Sequence, residues 1–359
     1  MTLALSIATF LDRWRSDCLG WTMRIDPVRA IYVRRSRRLL VSFTIAAAMS
    51  FLLSSFYPLW VLALGPVLWG LPHLVASFRY SSRELPTSKP SFFILVTLLS
   101  FFTAMMRLAL VNNWGGINRT LGGLNQNLFI EFSAMSLLWL VAAVGLFKKR
   151  ELRFSPGALG VLALFYCAWK APLMTAGALI LGHNFVGFFY WIRAAHGRSD
   201  RITAGLSLIL FSAAHLAIFL GFADPLFQWG SSGGEIGLGL TVWEIGSQIT
   251  SSLSMDYTWW FRATIAYAFG QSLHYFVWLR AIPEQQLPYE TPTSFRQSLS
   301  YLQRDLGLRV ANGALIGVVA ASSLWILYEF TTARMIYLAI VSFHGFAEFV
   351  GLCFERRAA

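Results

Sequence analysis

Long apolar runs separated by short polar segments dominate the sequence of this chain. A run such as 92–99 does not alternate apolar and polar residues, which argues against the two-residue period of a membrane β-barrel strand. A helix needs about 20 apolar residues to cross a bilayer, and on that length the runs predict ten membrane-spanning helices. The predicted spans are 39–57, 59–78, 91–111, 125–147, 155–169, 172–192, 203–223, 260–279, 312–329 and 334–354.

This pattern predicts an all-α, polytopic integral membrane bundle that forms one domain over residues 39–354. A basic leader of residues 1–38, expected to be amphipathic or irregular, precedes the domain, and a short tail of residues 355–359 follows it. The least regular span is 155–169, because it is short and is followed by a proline. A re-entrant segment is the alternative for that span.

Two of the predicted loops are long. The outer loop, 224–258, is rich in glycine and then apolar, a composition that would allow it to lie on the membrane as a lid. The inner loop, 281–311, carries three prolines and then a polar stretch at 294–308 that is typical of a surface helix.

Basic residues are concentrated in alternate loops, and such loops face the cytoplasm. Ten spans with both termini in the cytoplasm satisfy this alternation, whereas nine would leave a basic loop outside. The expected location is therefore the inner (cytoplasmic) membrane. The basic residues of these segments are Arg34, Arg35, Arg37, Arg38, Arg79, Arg83, Lys89, Lys148, Lys149, Arg150, Arg153, Arg193, Arg198, Arg201, Arg280, Arg296, Arg304, Arg309, Arg356 and Arg357.

Composition supports the same class of protein. Hydrophobic residues make up 56% of the chain and charged residues 13%, a balance that is unlike that of soluble domains. The net charge of +12 is explained by the loop asymmetry, so anionic lipids at the cytoplasmic face are the expected partners and nucleic acid is not. The three cysteines are far apart in the sequence and indicate neither a disulfide framework nor a thiolate metal site.

Four histidines fall inside predicted spans that run from outside to inside. At 1.5 Å per residue, His73 and His274 lie about 9 Å before the arginine that ends their spans, His183 about 15 Å and His344 about 18 Å. All four are therefore expected in one layer, in the cytoplasmic half of the bilayer. His215 lies above this layer and is expected to hydrogen-bond across to a neighbouring helix.

Imidazoles that converge from four helices are typical of a metal site, with nitrogen ligands suited to iron, copper or zinc. The alternative is that each histidine hydrogen-bonds a neighbouring helix. Glu348 follows His344 by four residues and shares its helix face, so it is a candidate ligand, catalytic group or partner that orients an imidazole. Glu131, also inside a span, is a candidate proton relay.

These motifs resemble the bacterial and archaeal Brp/Blh family of β-carotene 15,15'-dioxygenases. The family's first motif matches Gly70-Leu71-Pro72-His73, and its C-terminal histidine with an acidic residue four positions later matches His344 and Glu348. His183 and the aromatic segment around His274 resemble the intervening histidine motifs. The chain departs from the family at three sites, with Ser77 in place of an aspartate, Asn184-Phe185 in place of Phe-Gly, and Trp278 in place of a second histidine.

The resemblance implies a non-heme iron enzyme in which four histidines hold Fe(II) and O2 is the co-substrate. An apolar small molecule from the bilayer would be the substrate, and cleavage of the central double bond of a carotenoid would give a retinal-type aldehyde. Two other classes stay open. A heme-binding electron-transfer protein would use two of the histidines as axial ligands, and a transporter or scaffold would use them structurally.

Overall fold

The structure is a computed structural model, and twelve α-helices account for most of the residues that it describes. No strand occurs among these residues, which are 3–84, 98–99, 101–102, 105, 109, 163, 166–230, 241–243, 245–246, 256–287, 290–327, 337, 344–345 and 348. The helices are α1 (Leu3–Thr22), α2 (Asp26–Val33), α3 (Arg35–Phe56), α4 (Pro58–Gly65), α5 (Leu71–Glu84), α6 (Pro172–Ala194), α7 (Arg198–Phe219), α8 (Asp224–Trp229), α9 (Tyr257–Phe276), α10 (Ile282–Gln285), α11 (Phe295–Leu306) and α12 (Leu308–Leu327).

Three of the described helical segments are long and apolar enough to cross a membrane. They are Arg35–Phe56, Pro58–Ser77 and Arg198–Phe219, and they coincide with the first, second and seventh predicted spans. The all-helical prediction is thus confirmed for the described residues, and these three segments mark the chain as a membrane protein. Predicted span 125–147, most of spans 91–111, 155–169 and 334–354, and most of the outer loop 224–258 lie outside the described residues.

Helix α9 forms the centre of the bundle, because α3, α4, α6 and α7 all pack against it. Small residues on its buried face allow neighbouring helix backbones to approach closely, and aromatic rings fill the space between them. The small residues are Ala263, Ala266, Ala268 and Gly270, and the rings are Phe43 of α3, Phe188 and Trp191 of α6, Phe211 of α7 and Phe269 of α9. Adjacent rings in this set meet at centroid distances such as 5.7 Å for Phe43 and Phe188 and 4.7 Å for Phe188 and Phe211.

Two π-helical turns interrupt the bundle helices. One covers Pro66–Gly70 between α4 and α5, and the other covers Val277–Ala281 between α9 and α10. In each, the amide of the next residue donates to the carbonyl oxygen five residues earlier, and a proline then follows as the second residue of the new helix, Pro72 or Pro283. A proline ring clashes with the carbonyl four residues before it and lacks an amide donor, and a wider turn at that place relieves both problems.

A buried ionic cluster joins the starts of α3 and α7 to α10. Arg38 donates from Nε and Nη2 to Oε2 of Glu284 at 3.1 and 2.8 Å, and Glu284 also pairs with Arg280 at 2.7 Å. Arg35 lies 4.0 Å from Asp200. Because these acids neutralise them, Arg35 and Arg38 form the first turn of α3, which begins before the predicted start of the span at residue 39. Both arginines are buried and form ion pairs with these acids.

The polar stretch at 294–308 of the inner loop forms α11, as the sequence predicts. Ser294 and Gln297 make a capping box in which Ser294 Oγ accepts from the Gln297 amide at 3.2 Å and Gln297 Oε1 accepts from the Ser294 amide at 2.9 Å. No residue of α11 is fully buried. Helix α12 begins at Leu308, earlier than the predicted start at residue 312, because the left-handed Gly307 with a φ of 80° lets the chain turn directly into the next helix.

Replacement of the capping serine tests how far α11 depends on this box. We expect Ser294→Ala to destabilise the helix by about 1 kcal/mol, because the amide of Gln297 loses its acceptor, Ser294 Oγ. Faster hydrogen exchange in residues 295–298 would measure the loss. Ser300→Ala, at an exposed serine in the interior of the same helix, should leave these rates unchanged, and equal exchange in both variants would contradict the prediction.

Candidate metal centre

The four histidines predicted from the sequence lie together in the structure and form a closed ring of imidazoles. His73 comes from α5, His183 from α6 and His274 from α9, and His344 lies in the C-terminal segment. Successive ring centroids are 4.7 Å apart for His73 and His274, 4.5 Å for His274 and His183, 4.8 Å for His183 and His344, and 5.0 Å for His344 and His73. Residues separated by up to 271 positions thus present their rings to one point.

The distances between ring nitrogens fit the coordination shell of a transition metal. His73 Nε2 and His274 Nε2 are 2.9 Å apart, and His183 Nε2 and His344 Nε2 are 3.2 Å apart. Metal–nitrogen bonds of about 2.0–2.1 Å place neighbouring ligands about 2.9–3.4 Å apart, depending on the coordination angle. One ligand atom from each of His73, His274, His344 and Glu348 also lies within 4.8 Å of all the others. These three histidines and Glu348 therefore fit a metal ion, and His183 lies next to His344 without belonging to this group.

Glu348 places a carboxylate against this ring. Its oxygens lie 3.7 Å from His73 Nε2, 3.6 Å from His183 Nδ1 and 3.9 Å from His274 Nε2. The side chain is fully buried, and its one direct hydrogen bond among the described residues comes from Ser77 Oγ at 2.6 Å. A carboxylate in such a place is costly unless a positive charge balances it. A metal cation within the ring would supply that charge.

Two further contacts fix the segment that carries His344 and Glu348. Tyr190 of α6 donates from its hydroxyl to the backbone carbonyl of Glu348 at 2.8 Å. Gly345 lies against His183, and a Cβ at this glycine would stand 3.3 Å from His183 Nδ1. A larger residue would press on the imidazole, so glycine allows His183 and His344 to face each other.

Aromatic side chains from α9 and from the π-helical turn that follows it form a wall beside the ring of imidazoles. The Tyr275 ring lies 5.0 Å from the His73 ring, and Trp278 lies 6.3 Å from His73 and 6.4 Å from His274. Trp278 is fully buried, and its indole forms part of the wall beside the imidazoles.

His215 does not belong to the ring. Its Nδ1 lies 3.0 Å from the carbonyl oxygen of Phe211, so this nitrogen bonds within α7. The rings of Phe185, Phe211 and Phe269 surround it at centroid distances of 5.5, 4.3 and 5.1 Å. A buried histidine in an aromatic cage gives this chain an internal control for the four that converge.

Sequence reasoning did not assign Ser77, Tyr190 and Gly345 to the site. Ser77 follows His73 by four residues and so shares its helix face, a signal that could have marked it. Tyr190 follows His183 by seven residues and lies on the same face by the same rule. Gly345 carried no signal beyond its place next to His344. Glu131, the second predicted catalytic candidate, lies outside the described residues.

Comparisons of the chain with protein-family models, with curated proteins and with solved structures give no match. The function of this protein is therefore inferred from the geometry of the four imidazoles and the Glu348 carboxylate.

Proposed function

We propose that the protein is a ten-span protein of the inner membrane with both termini in the cytoplasm. The three membrane-length segments of the described chain support this topology, as does the alternation of basic loops along the sequence. In this topology α5, α6 and α9 all run from outside to inside. The site then lies towards the cytoplasmic ends of its helices.

We propose further that the ring of four histidines holds Fe(II) and that Glu348 balances its charge. The observation that carries this proposal is the closed ring of imidazoles around a buried carboxylate. Four neutral nitrogen ligands suit iron among the first-row metals and leave coordination positions for a substrate or oxygen. Ser77 orients Glu348 through its hydrogen bond, and Tyr190 holds the backbone at the same residue.

The proposed activity is oxidative cleavage of an apolar polyene or lipid-like substrate from the bilayer, by resemblance a carotenoid. When bound, Fe(II) would supply the redox centre at which O2 reacts with a carbon–carbon double bond. One O2 converts one such bond into two carbonyl groups, so the atoms balance and the product is a retinal-type aldehyde. The apolar wall that includes Trp278 and Tyr275 would exclude water from the double bond, and Glu131 is the proposed proton relay.

The ring geometry favours this proposal over a heme protein. Two axial histidines on opposite sides of a heme iron hold their nitrogens about 4 Å apart, with the porphyrin plane between them. The nitrogens of His73 and His274, at 2.9 Å, and those of His183 and His344, at 3.2 Å, are too close together for either pair to hold a porphyrin plane between them. A transporter or scaffold with structural histidines is the other alternative, and it accounts less well for the buried carboxylate beside the ring.

Metal analysis of the detergent-purified protein, together with its visible spectrum, tests the proposed centre. We expect stoichiometric iron without a Soret band in the wild type and loss of the iron in His73→Ala and in His344→Ala, because each variant removes one nitrogen of the ring. A Soret band would favour the heme alternative. Absence of metal from every sample would contradict the proposed centre and favour the transporter or scaffold.

Carotenoid-fed cells then test the substrate. Cells that make the iron-loaded wild-type protein should accumulate a retinal-type aldehyde, and cells that make His73→Ala should not. Iron-loaded protein without any cleaved product would refute carotenoid cleavage, although the metal centre would stand.

A further inference from the structure

Helix α1 is fastened to α11 by specific polar contacts. Asp12 accepts hydrogen bonds from the amides of Phe295 and Arg296 at 2.6 and 3.2 Å and from Arg296 Nε at 3.1 Å. Arg15 donates to the carbonyl oxygens of Thr293 and Pro292. Partial burial raises the pKa of Asp12, but the hydrogen bonds from residues 295 and 296 outweigh it and the pKa is lowered. Asp12 therefore stays ionised at neutral pH, and α1 is held in one orientation.

That orientation leaves one face of α1 uncovered, and the face is apolar. Ile7, Phe10, Trp14 and Trp21 are exposed by 50%, 68%, 62% and 69%, and Cys18 is exposed between the two tryptophans. At 100° per residue these five positions fall within an arc of about 80°. An apolar stripe of this kind in a water-facing helix marks an interaction surface.

Two observations place this stripe at the boundary between membrane and water. Helix α2 leads directly into α3, which is long and apolar enough to cross a membrane, and α11, to which α1 is fastened, leads directly into the apolar helix α12. On the border of the stripe that lies away from α11, Arg13 and Asp17 are exposed, and Arg24 is exposed in the turn that follows α1. Bulky apolar side chains flanked by arginines are typical of helices that lie in the plane of an anionic leaflet.

We propose that α1 is an interfacial helix whose stripe, Ile7, Phe10, Trp14, Cys18 and Trp21, inserts into the headgroup region of the anionic cytoplasmic leaflet. Arg13 and Arg24 contact lipid phosphates there. The inference rests on the membrane placement proposed above and is independent of the iron site. It assigns the leader a role as an anchor that docks the inner-loop helix α11 to the membrane surface.

Spin labels on the full-length protein in nanodiscs test this proposal. Cys18 is a native probe on the stripe once Cys167 and Cys353 are replaced by serine. Ser16→Cys, combined with Cys18→Ser, puts the label on an exposed position away from the stripe. Met49→Cys, at an exposed position of α3, reports whether the bundle itself is in lipid. Accessibility to oxygen compared with a water-soluble nickel complex gives the depth of each label.

We expect oxygen accessibility to exceed nickel accessibility severalfold at Cys18 and at Met49→Cys, and the reverse at Ser16→Cys. Replacing anionic with zwitterionic lipid should shift the Cys18 label, but not the Met49→Cys label, towards water. A Cys18 label in water while the Met49→Cys label is in lipid would overturn the anchor alone. Equal immersion of the Cys18 label in both lipid mixtures would overturn the assignment to an anionic leaflet, and a Met49→Cys label in water would overturn the membrane placement itself.

Discussion

His274→Ala is expected to abolish the thermal stabilisation that Fe(II) would give to the protein in the proposed centre. A ligand at 100 times its dissociation constant stabilises the folded state by about 2.7 kcal/mol. His274 lies between His73 and His183 in the ring and also faces Glu348. Its loss therefore removes one ligand and leaves a gap between His73 and His183. Melting curves recorded with Fe(II) and after chelation would measure the difference for each variant.

His215→Ala is the matched control for this experiment. It also removes a buried imidazole that packs against Phe269 of α9, so both variants create a cavity in the same bundle. The metal-free protein should melt at a lower temperature in both cases, but only His215→Ala should keep the response to Fe(II). A response that survives in His274→Ala, or that disappears in both variants, would show that the ring does not hold the metal.

Glu348→Gln is expected to change the stability of the protein in opposite directions with and without metal. The metal-free protein should become more stable, because the substitution removes a fully buried carboxylate and leaves an oxygen that can still accept the hydrogen bond from Ser77. Affinity for Fe(II) should fall about 10- to 100-fold, because a neutral amide no longer balances the cation or orients the imidazoles. Titration with Fe(II) followed by melting would measure both effects.

Glu284→Gln separates this effect from the general cost of altering a buried acid. Glu284 pairs with Arg38 and Arg280, so its neutral variant leaves buried arginine charge unpaired and should lower stability with and without metal. If Glu348→Gln behaves in the same way as Glu284→Gln, the carboxylate of Glu348 has a structural partner and no role in balancing a metal.

Apolar run lengths were enough to predict an all-helical structure and the three membrane-length segments, and a shared depth was enough to predict that His73, His183, His274 and His344 would meet. Depth is readable because helical rise is constant and, in the predicted topology, the arginines mark one surface. Direction around a helix axis and contacts between distant segments are not readable in this way. The pairing of Ser77 with Glu348, and of Arg38 with Glu284, links residues more than 240 positions apart, and such contacts depend on how whole helices pack.

The two π-helical turns have a consequence for the way such spans can be interpreted. A π turn contains one residue more than the α-helical path, which changes the helical phase of everything after it by about 100°. Residues 58–65 and residues 71–77 therefore keep separate angular registers within one membrane-length segment, and so do the parts of the chain before and after Val277–Ala281. One part of each segment can therefore pack against its neighbours at its own angle, while the other part directs its imidazole into the ring.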